Sequence, residues 1–101
     1  MKKNAFNDYQ KFCLEGIKPG GHSLTVFALG LGGESGEVLD IIKKSIRDEH
    51  PIDLEHLKEE LGDVLWYVAN IASATGIDLN DILKFNIDKL TKRYSLGGGN
   101  N

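Results

Sequence analysis

The sequence predicts an all-α protein, a four-helix bundle-like domain assembled as a homo-oligomer, and three observations lead to this fold class. Apolar residues recur at spacings of three and four along most of the chain, whereas no segment sustains the strict alternation of a strand. Helix-capping residues precede most periodic stretches, and the connections between stretches are short. A chain of 101 residues buries only a thin core, which favours oligomerisation.

Four helical segments are predicted in chain order from their apolar stripes and their end signals. Residues with short polar side chains cap helices because they accept hydrogen bonds from free N–H groups of the first turn. The second helix ends near Asp48, because the residue before Pro51 is pushed out of the α region. The predicted segments are residues 4–14, residues 24–48 after the cap Ser23, the stretch from the cap Asp53 to the stop Gly76, and the stretch from the cap Asp78 to Tyr94.

Length and composition restrict the domain organisation and the classes of partner. One domain is predicted over residues 1–94, followed by a flexible Gly- and Asn-rich tail at residues 95–101. A net charge of −3 argues against a nucleic-acid partner, and no apolar run is long enough to cross a membrane. The single cysteine, Cys13, fits a reducing compartment, and the N-terminus lacks the apolar core of a signal peptide. We therefore predict a cytoplasmic protein.

A short internal repeat lies in the middle of the two long helices. The pattern E-x-G-[E/D]-V-L occupies residues 34–39 and again residues 60–65. At ~100° per residue, the two acidic residues of each copy fall at the same offsets from the apolar stripe of their helix. If the two helices pack antiparallel, the four carboxylates come together. They belong to Glu34, Glu37, Glu60 and Asp63.

Four clustered carboxylates predict a divalent metal site. Like charges at close range raise one another's pKa values, and hard cations with oxygen ligands relieve this repulsion. A set without His or Cys suits Mg²⁺, with Mn²⁺ as a substitute, and a phosphorylated substrate. The mid-helix glycines Gly36 and Gly62 each cost roughly 1 kcal/mol relative to alanine, which predicts close packing behind the carboxylates. On this pattern alone, a solvated acidic helix face accounts for the residues equally well.

The same residues resemble a known protein family. The repeat matches the family motif of an ExxE helix followed by an ExxD helix, and residues 86–94 are similar to its N-x-x-K-L-x-x-R-Y segment. The chain is thereby similar to the MazG-like all-α nucleoside triphosphate pyrophosphohydrolases, a superfamily that includes dimeric dUTPases and dCTP pyrophosphatases. The likeness covers roughly residues 23 to 94, with three motifs in one order.

The resemblance implies a function and a set of site residues. The implied reaction is Mg²⁺-dependent hydrolysis of ribo- or deoxynucleoside triphosphates to monophosphate and pyrophosphate, in a homodimer or homotetramer that clears noncanonical or surplus nucleotides. Glu34 and Glu37 are predicted to be catalytic, with one of them accepting the proton of the attacking water. The implied metal ligands are Glu34, Glu37, Glu60 and Asp63, and the implied substrate-binding residues are Asn86, Lys89 and Arg93.

Departures from the family pattern leave alternatives open. Many members carry a second glutamate just before the first motif, where this chain has Gly33. A family member that binds nucleotide without turnover is therefore one alternative, and a non-catalytic helical interaction module is another. A ferritin-like di-iron protein is disfavoured, because that architecture requires Glu-x-x-His motifs and the sequence has none.

Three residues outside the motifs receive weaker predictions. His22 precedes the second helix and is expected to be a loop residue without a role, or else to touch a phosphate or base. His56 is predicted to be a surface residue. Tyr67 follows the second motif and is expected either to stack on a base or to be a buried or interface aromatic.

Overall fold

The computed structural model describes residues 4–17 and 23–97, and these residues form four α-helices and no strand. Helix α1 spans Ala5–Glu15, α2 spans Leu24–Asp48, α3 spans Leu54–Thr75 and α4 spans Leu79–Gly97. The predicted all-α class is confirmed, and the predicted boundaries of α2 and α3 agree with the observed ones. Within these described ranges, no helix combines the length and apolar character needed to cross a membrane.

Local capping explains where α2 and α3 begin and end. The Ser23 hydroxyl accepts a hydrogen bond from the Val26 N–H at 3.3 Å, and the Asp53 carboxylate accepts one from the His56 N–H at 3.1 Å. Helix α3 ends at Gly76, whose φ of 77° lies in the left-handed region that glycine adopts without a Cβ clash. The caps that the sequence predicted for these two helices are therefore confirmed.

Helices α2 and α3 pack side by side and run antiparallel. Near the start of α2, the ring of Phe27 meets that of Trp66 edge to face, with centroids 5.9 Å apart. Near the end of α2, Lys44 lines a cavity together with Asp53, the cap of α3. The start of α2 therefore lies beside the later part of α3, and the end of α2 lies beside the start of α3. The predicted carboxylate cluster required this antiparallel arrangement.

Helix α1 closes a small core against the other face of α3. Cys13, Ala69 and Leu79 are buried together, and the partly buried side chains of Tyr9, Trp66 and Val68 pack around them. Burial raises the pKa of the Cys13 thiol, although its hydrogen bond with Tyr9 acts in the opposite direction. The cysteine therefore serves as a packed apolar residue, in agreement with its position outside every motif.

Side chains of α1 also hold the first turn of α4. The Gln10 side-chain amide donates to Ser73 Oγ at 3.1 Å and to the Ile77 carbonyl at 2.8 Å, and its oxygen accepts from the Leu79 N–H at 2.7 Å. Asn7 Oδ1 accepts from the N–H of residue 80 at 3.1 Å. The sequence predicted that the Asp78 side chain would cap α4. Instead, Gln10 and Asn7 accept from the first N–H groups of α4, and Asp78 contributes only its backbone carbonyl to the first helical turn.

The remainder of α4 is largely uncovered within one chain. Helix α4 contacts α1 and α3 but has no contact with α2. Of the buried stripe that the apolar spacing predicts for α4, Leu79 is buried and Leu83 and Leu90 are half-buried. The prediction is wrong at Ile87 and Tyr94, which are 51% and 57% exposed. The radius of gyration is 16.7 Å, against about 13 Å for a compact domain of this length. The helix also continues through Gly97, past the predicted end of the domain, and residues 98–101 lie outside the described part.

Candidate functional site

Three of the four predicted metal ligands converge between α2 and α3. Glu34, Glu60 and Asp63 each offer a carboxylate oxygen, and these three oxygens lie within 4.8 Å of one another. Glu34 and Glu60 are half-buried, whereas Asp63 is exposed. The fourth residue, Glu37, is exposed and does not belong to this group, although its charge acts on Glu34. The three converging residues are called the carboxylate cluster below.

The electrostatics of the carboxylate cluster are concentrated on Glu34. Its pKa is raised from 4.5 to about 7, first because a hydrogen bond with Glu60 favours the protonated form. Burial and the negative charges of Glu60, Asp63 and Glu37 raise this pKa further. The sequence-based expectation that the acidic residues would raise a pKa in this cluster is confirmed at Glu34.

The cluster fits a hard divalent cation. Oε1 of Glu34 is buried and has no hydrogen-bond partner, a costly arrangement for a carboxylate oxygen. No lysine or arginine in the described ranges forms an ion pair with any of the three carboxylates. A donor set made only of oxygens matches the preference of Mg²⁺ and Mn²⁺. Glu34, Glu60 and Asp63 are therefore the residues that could hold such an ion.

A histidine contacts one carboxylate of the cluster, and the sequence analysis did not predict this contact. Nε2 of His56 lies 3.4 Å from Oε2 of Glu60, one helical turn further along α3. The His56 side chain is 48% exposed, as the prediction of a surface residue requires. That prediction did not include its contact with the Glu60 carboxylate, which is only 17% exposed. The i,i+4 spacing of His56 and Glu60 was the sequence signal that could have revealed the contact.

A cavity of about 240 Å³ opens beside the cluster, where the end of α2 meets the start of α3. Its walls carry acidic, basic and imidazole groups, so it is polar and partly charged. The one close ion pair there joins Lys44 to Asp40 at 2.9 Å and lowers the pKa of Asp40. The lining residues are Glu37, Asp40, Ile41, Lys44, His50, Asp53 and His56.

A glycine fixes the separation of the two site helices, but not one of those in the repeat. A Cβ added at Gly36 or Gly62 would meet no atom of a neighbouring element within 4 Å, so the predicted close packing behind the carboxylates is wrong for one chain. A Cβ at Gly30 would instead lie 2.2 Å from Cε1 of Tyr67. Tyr67 is half-buried and packs perpendicular to Trp66, with ring centroids 5.1 Å apart.

The predicted substrate-binding residues lie apart from the cluster. Asn86, Lys89 and Arg93 are exposed on α4. Lys89 and Arg93 line an open cavity of about 510 Å³ whose other walls, Phe85, Asp88 and Lys92, also come from α4. Within the described ranges, no hydrogen bond, ion pair or cavity joins these residues to the carboxylates. Their role stays a prediction, and His22 lies outside the described residues.

Comparison with known proteins places the site within a matched region. The sequence profile of the MazG nucleotide pyrophosphohydrolase domain matches residues 23–96. The Gene 37 protein of Mycobacterium phage L5 is 36% identical over 78 residues, which cover 73% of this chain and 68% of that protein. The uncharacterized protein YvdC of Bacillus subtilis (strain 168) is 40% identical over 52 residues, or 52% of this chain and 46% of that protein. No solved structure matches the chain.

Proposed function

Because the chain belongs to the MazG nucleotide pyrophosphohydrolase family, we propose that it hydrolyses nucleoside triphosphates to monophosphates and pyrophosphate in the presence of Mg²⁺. The carboxylate cluster is the observation that supports this proposal. It places three acidic side chains within 4.8 Å of one another, with one buried oxygen unpaired, and so provides a site that gains from a divalent cation. Phosphorylated substrates suit such a site, because Mg²⁺ usually binds one or two carboxylates together with phosphate oxygens.

The residues of the carboxylate cluster would bind the cation that the reaction requires. Glu34, Glu60 and Asp63 would hold the cation. A bound Mg²⁺ supplies charge neutralisation, polarises the α-phosphorus and lowers the pKa of an attacking water. In the reaction, the water oxygen bonds to the α-phosphorus and the bond to the bridging oxygen breaks, so that pyrophosphate leaves.

Glu37 is the better placed of the two predicted catalytic residues to accept the proton of the water. It is exposed beside Glu34 and lies outside the group of three converging oxygens. Glu34 would lose its raised pKa next to a bound cation, because the ion's charge dominates the local electrostatics. A weakly basic, cation-bound Glu34 is a poorer general base than a free carboxylate at hydrogen-bond reach of the water.

The cationic residues of α4 would serve the substrate in an assembly of more than one chain. Lys89 and Arg93 would bind phosphate oxygens, the arginine through two parallel hydrogen bonds, and Asn86 would contact the nucleotide. Since α4 does not contact α2 within one chain, we propose that the α4 of one copy completes the site of another. This proposal matches the homodimer or homotetramer implied by the family resemblance.

Uncovered apolar surface supports the same assembly. Large apolar side chains on all four helices are more than 60% exposed, and packing a second copy against them would remove apolar surface from water. A second copy packed on these surfaces would also cover the open face of α4. The side chains are those of Phe12, Leu29, Leu39, Ile46, Leu54 and Phe85.

The setting that we propose is nucleotide-pool sanitation in the cytoplasm. Removal of noncanonical or surplus triphosphates requires a pyrophosphohydrolase with access to the free nucleotide pool. The reduced thiol of Cys13 is compatible with that compartment.

The test is pyrophosphate release from a panel of ribo- and deoxynucleoside triphosphates, with Mg²⁺ or with EDTA. We expect Mg²⁺-dependent release of pyrophosphate and monophosphate from the wild-type protein. Glu37→Gln should lower kcat by about a hundred- to a thousandfold, the usual effect of losing a general base. Glu59→Gln is the matched control, because Glu59 is an exposed glutamate that directly precedes Glu60 and lies outside the carboxylate cluster, so its replacement should leave the rate unchanged.

The outcome also separates the enzyme from its alternative. A non-catalytic helical nucleotide-binding or interaction module would show no metal-dependent release from any nucleotide. Such a result would exclude the proposed reaction, whereas a metal-dependent rate that ranks the bases would establish it.

A further inference from the structure

His56 is the residue outside the motifs that the structure brings to the carboxylate cluster. It lies in the first turn of α3, where its backbone N–H donates to Asp53 Oδ1 at 3.1 Å. This cap fixes the backbone from which the imidazole extends. The ring then reaches one turn along the helix, and its Nε2 stands 3.4 Å from Glu60 Oε2.

Glu60 is a side chain that needs to be held in place. It is 17% exposed and lies beside the carboxylates of Glu34 and Asp63, whose negative charge opposes its approach. In the metal-free chain a hydrogen bond with protonated Glu34 holds Glu60, and a cation that displaced this proton would remove that bond. A glutamate has three rotatable side-chain bonds, so Glu60 would then need another partner to hold its carboxylate. Among the described residues, His56 is the one nitrogen-bearing side chain recorded within 4.0 Å of a carboxylate of the cluster.

We propose that His56 is a positioning residue for the metal centre, because its Nε2 stands 3.4 Å from Oε2 of Glu60 and can thereby fix the orientation of a carboxylate that converges with those of Glu34 and Asp63. This inference rests on the proposed function, since it takes the three carboxylates to be the cation's ligands. The role requires a donor N–H at Nε2, which a neutral imidazole supplies in one of its tautomers. Partners that orient ligating side chains commonly change metal affinity by about 10- to 100-fold when removed.

The chain offers a matched control for this residue. His50 lines the same cavity as His56, but its Nδ1 lies 2.9 Å from the Pro51 carbonyl and it contacts no carboxylate of the cluster. Replacing either histidine by alanine removes the same group from the same cavity. Only the replacement of His56 removes a contact to Glu60.

The experiment measures Mn²⁺ binding to the substrate-free protein by titration calorimetry and by the electron paramagnetic resonance signal of free Mn²⁺. His56→Ala should weaken binding about tenfold, at the low end of the usual range because His56 is half-exposed. His56→Gln should restore most of the affinity, because glutamine carries an N–H donor of similar reach. His50→Ala should bind Mn²⁺ like the wild type. Circular dichroism of each variant verifies the helical fold.

A double substitution tests whether the effect passes through Glu60. On a Glu60→Gln background, His56→Ala should cause no further loss of Mn²⁺ affinity, since the two changes remove one interaction. Wild-type affinity in His56→Ala, absence of rescue by glutamine, or a fully additive double variant would each overturn the positioning role.

Failure of this inference can be distinguished from failure of the proposed reaction. If the wild type releases pyrophosphate with Mg²⁺ and His56→Ala binds Mn²⁺ normally, the reaction stands and the positioning role falls. If Mn²⁺ binding depends on His56 but no nucleotide is hydrolysed, the positioning role stands and the reaction falls. A wild-type protein that binds no Mn²⁺ without substrate overturns the positioning role, whereas the reaction is then decided by pyrophosphate release alone.

Discussion

The α2–α3 pair and the helix α4 are two regions built by different means. Helices α2 and α3 contact each other along their length, through Phe27 against Trp66 and through Gly30 against the Tyr67 ring. The carboxylate cluster lies between the same two helices. Helix α4 is anchored at its first turn, chiefly by side chains of α1, and its later apolar residues are exposed. Three carboxylates of the proposed site therefore meet within one chain, whereas the predicted cationic residues of α4 do not reach them there.

This difference indicates what each half of the site depends on. The carboxylates depend on antiparallel packing of two neighbouring helices, which short connections favour. The cations of α4 project from a surface that no other helix of the described chain covers. A site that needs both halves would thus couple activity to assembly, so that an isolated chain could bind a cation but would bind the triphosphate poorly.

The largest expected effect comes from mixing two inactive variants. Asp63→Asn should abolish the acidic half of the site, and the double variant Lys89→Ala with Arg93→Ala should abolish the cationic half. If the halves come from different chains, subunit exchange between these proteins should restore about a quarter of wild-type turnover, because half of randomly mixed dimers are heterodimers with one intact site. Pyrophosphate release before and after mixing is the measurement.

The control for this mixing experiment is a pair of variants altered in the same half. Asp63→Asn mixed with Glu60→Gln should stay inactive, because neither chain then supplies an intact carboxylate cluster. An absence of recovery in the first mixture, with subunit exchange verified by mass, would show that each site takes both halves from one chain.

A smaller effect is expected at the contact that sets the spacing of α2 and α3. Gly30→Ala places a Cβ about 2 Å from the Tyr67 ring and should lower the free energy of unfolding by roughly 1–2 kcal/mol, because overpacking outweighs the gain in helix propensity. Gly32→Ala is the control, since its Cβ meets no neighbouring element and alanine favours the helix. Urea unfolding of both variants is the measurement, and equal effects would contradict the role assigned to Gly30.

The smallest expected effect is a pH dependence of stability in the metal-free protein. The folded-state pKa of Glu34 is about 7, above its ordinary value of 4.5, so the folded chain holds a proton that the unfolded chain has lost between these values. Stability should therefore fall as the pH rises from about 4.5 to 7. Thermal unfolding in EDTA should show this fall for the wild type and a weaker one for Glu34→Gln. Added Mg²⁺ should raise the wild-type Tm mainly above pH 7, and a Glu34→Gln curve identical to the wild type's would refute the assignment.

Much of the fold could be predicted because its signals are local. The caps Ser23 and Asp53 act on N–H groups within their own first turns, and Gly76 ends α3 through its own backbone conformation. The repeat gave the correct faces for Glu34 and Asp63, because a helix converts spacing directly into direction. The site residues as a set remain predictions, although three of the carboxylates converge as the antiparallel arrangement requires.

Features that depend on distant partners could not be predicted in this way. The side chain of Gln10 bonds to groups more than sixty residues away, and nothing in its neighbourhood indicates such a partner. Gly30 looked no different from the other glycines of α2, yet it alone among the helical glycines described meets a side chain of another element. The mid-helix glycines of the repeat were assigned a packing partner that one chain does not provide.

The sequence by itself determined the four helices, the ends of α2 and α3 and the side of each of these two helices on which the acidic residues lie, because all of these follow from interactions within one or two turns. Only the tertiary structure decided which carboxylates meet, that Glu34 takes the raised pKa, and that α1 rather than Asp78 supplies the side chains capping α4. These outcomes depend on the distance between two helix axes and on the rotamers of the side chains between them. No periodicity along the chain encodes such quantities.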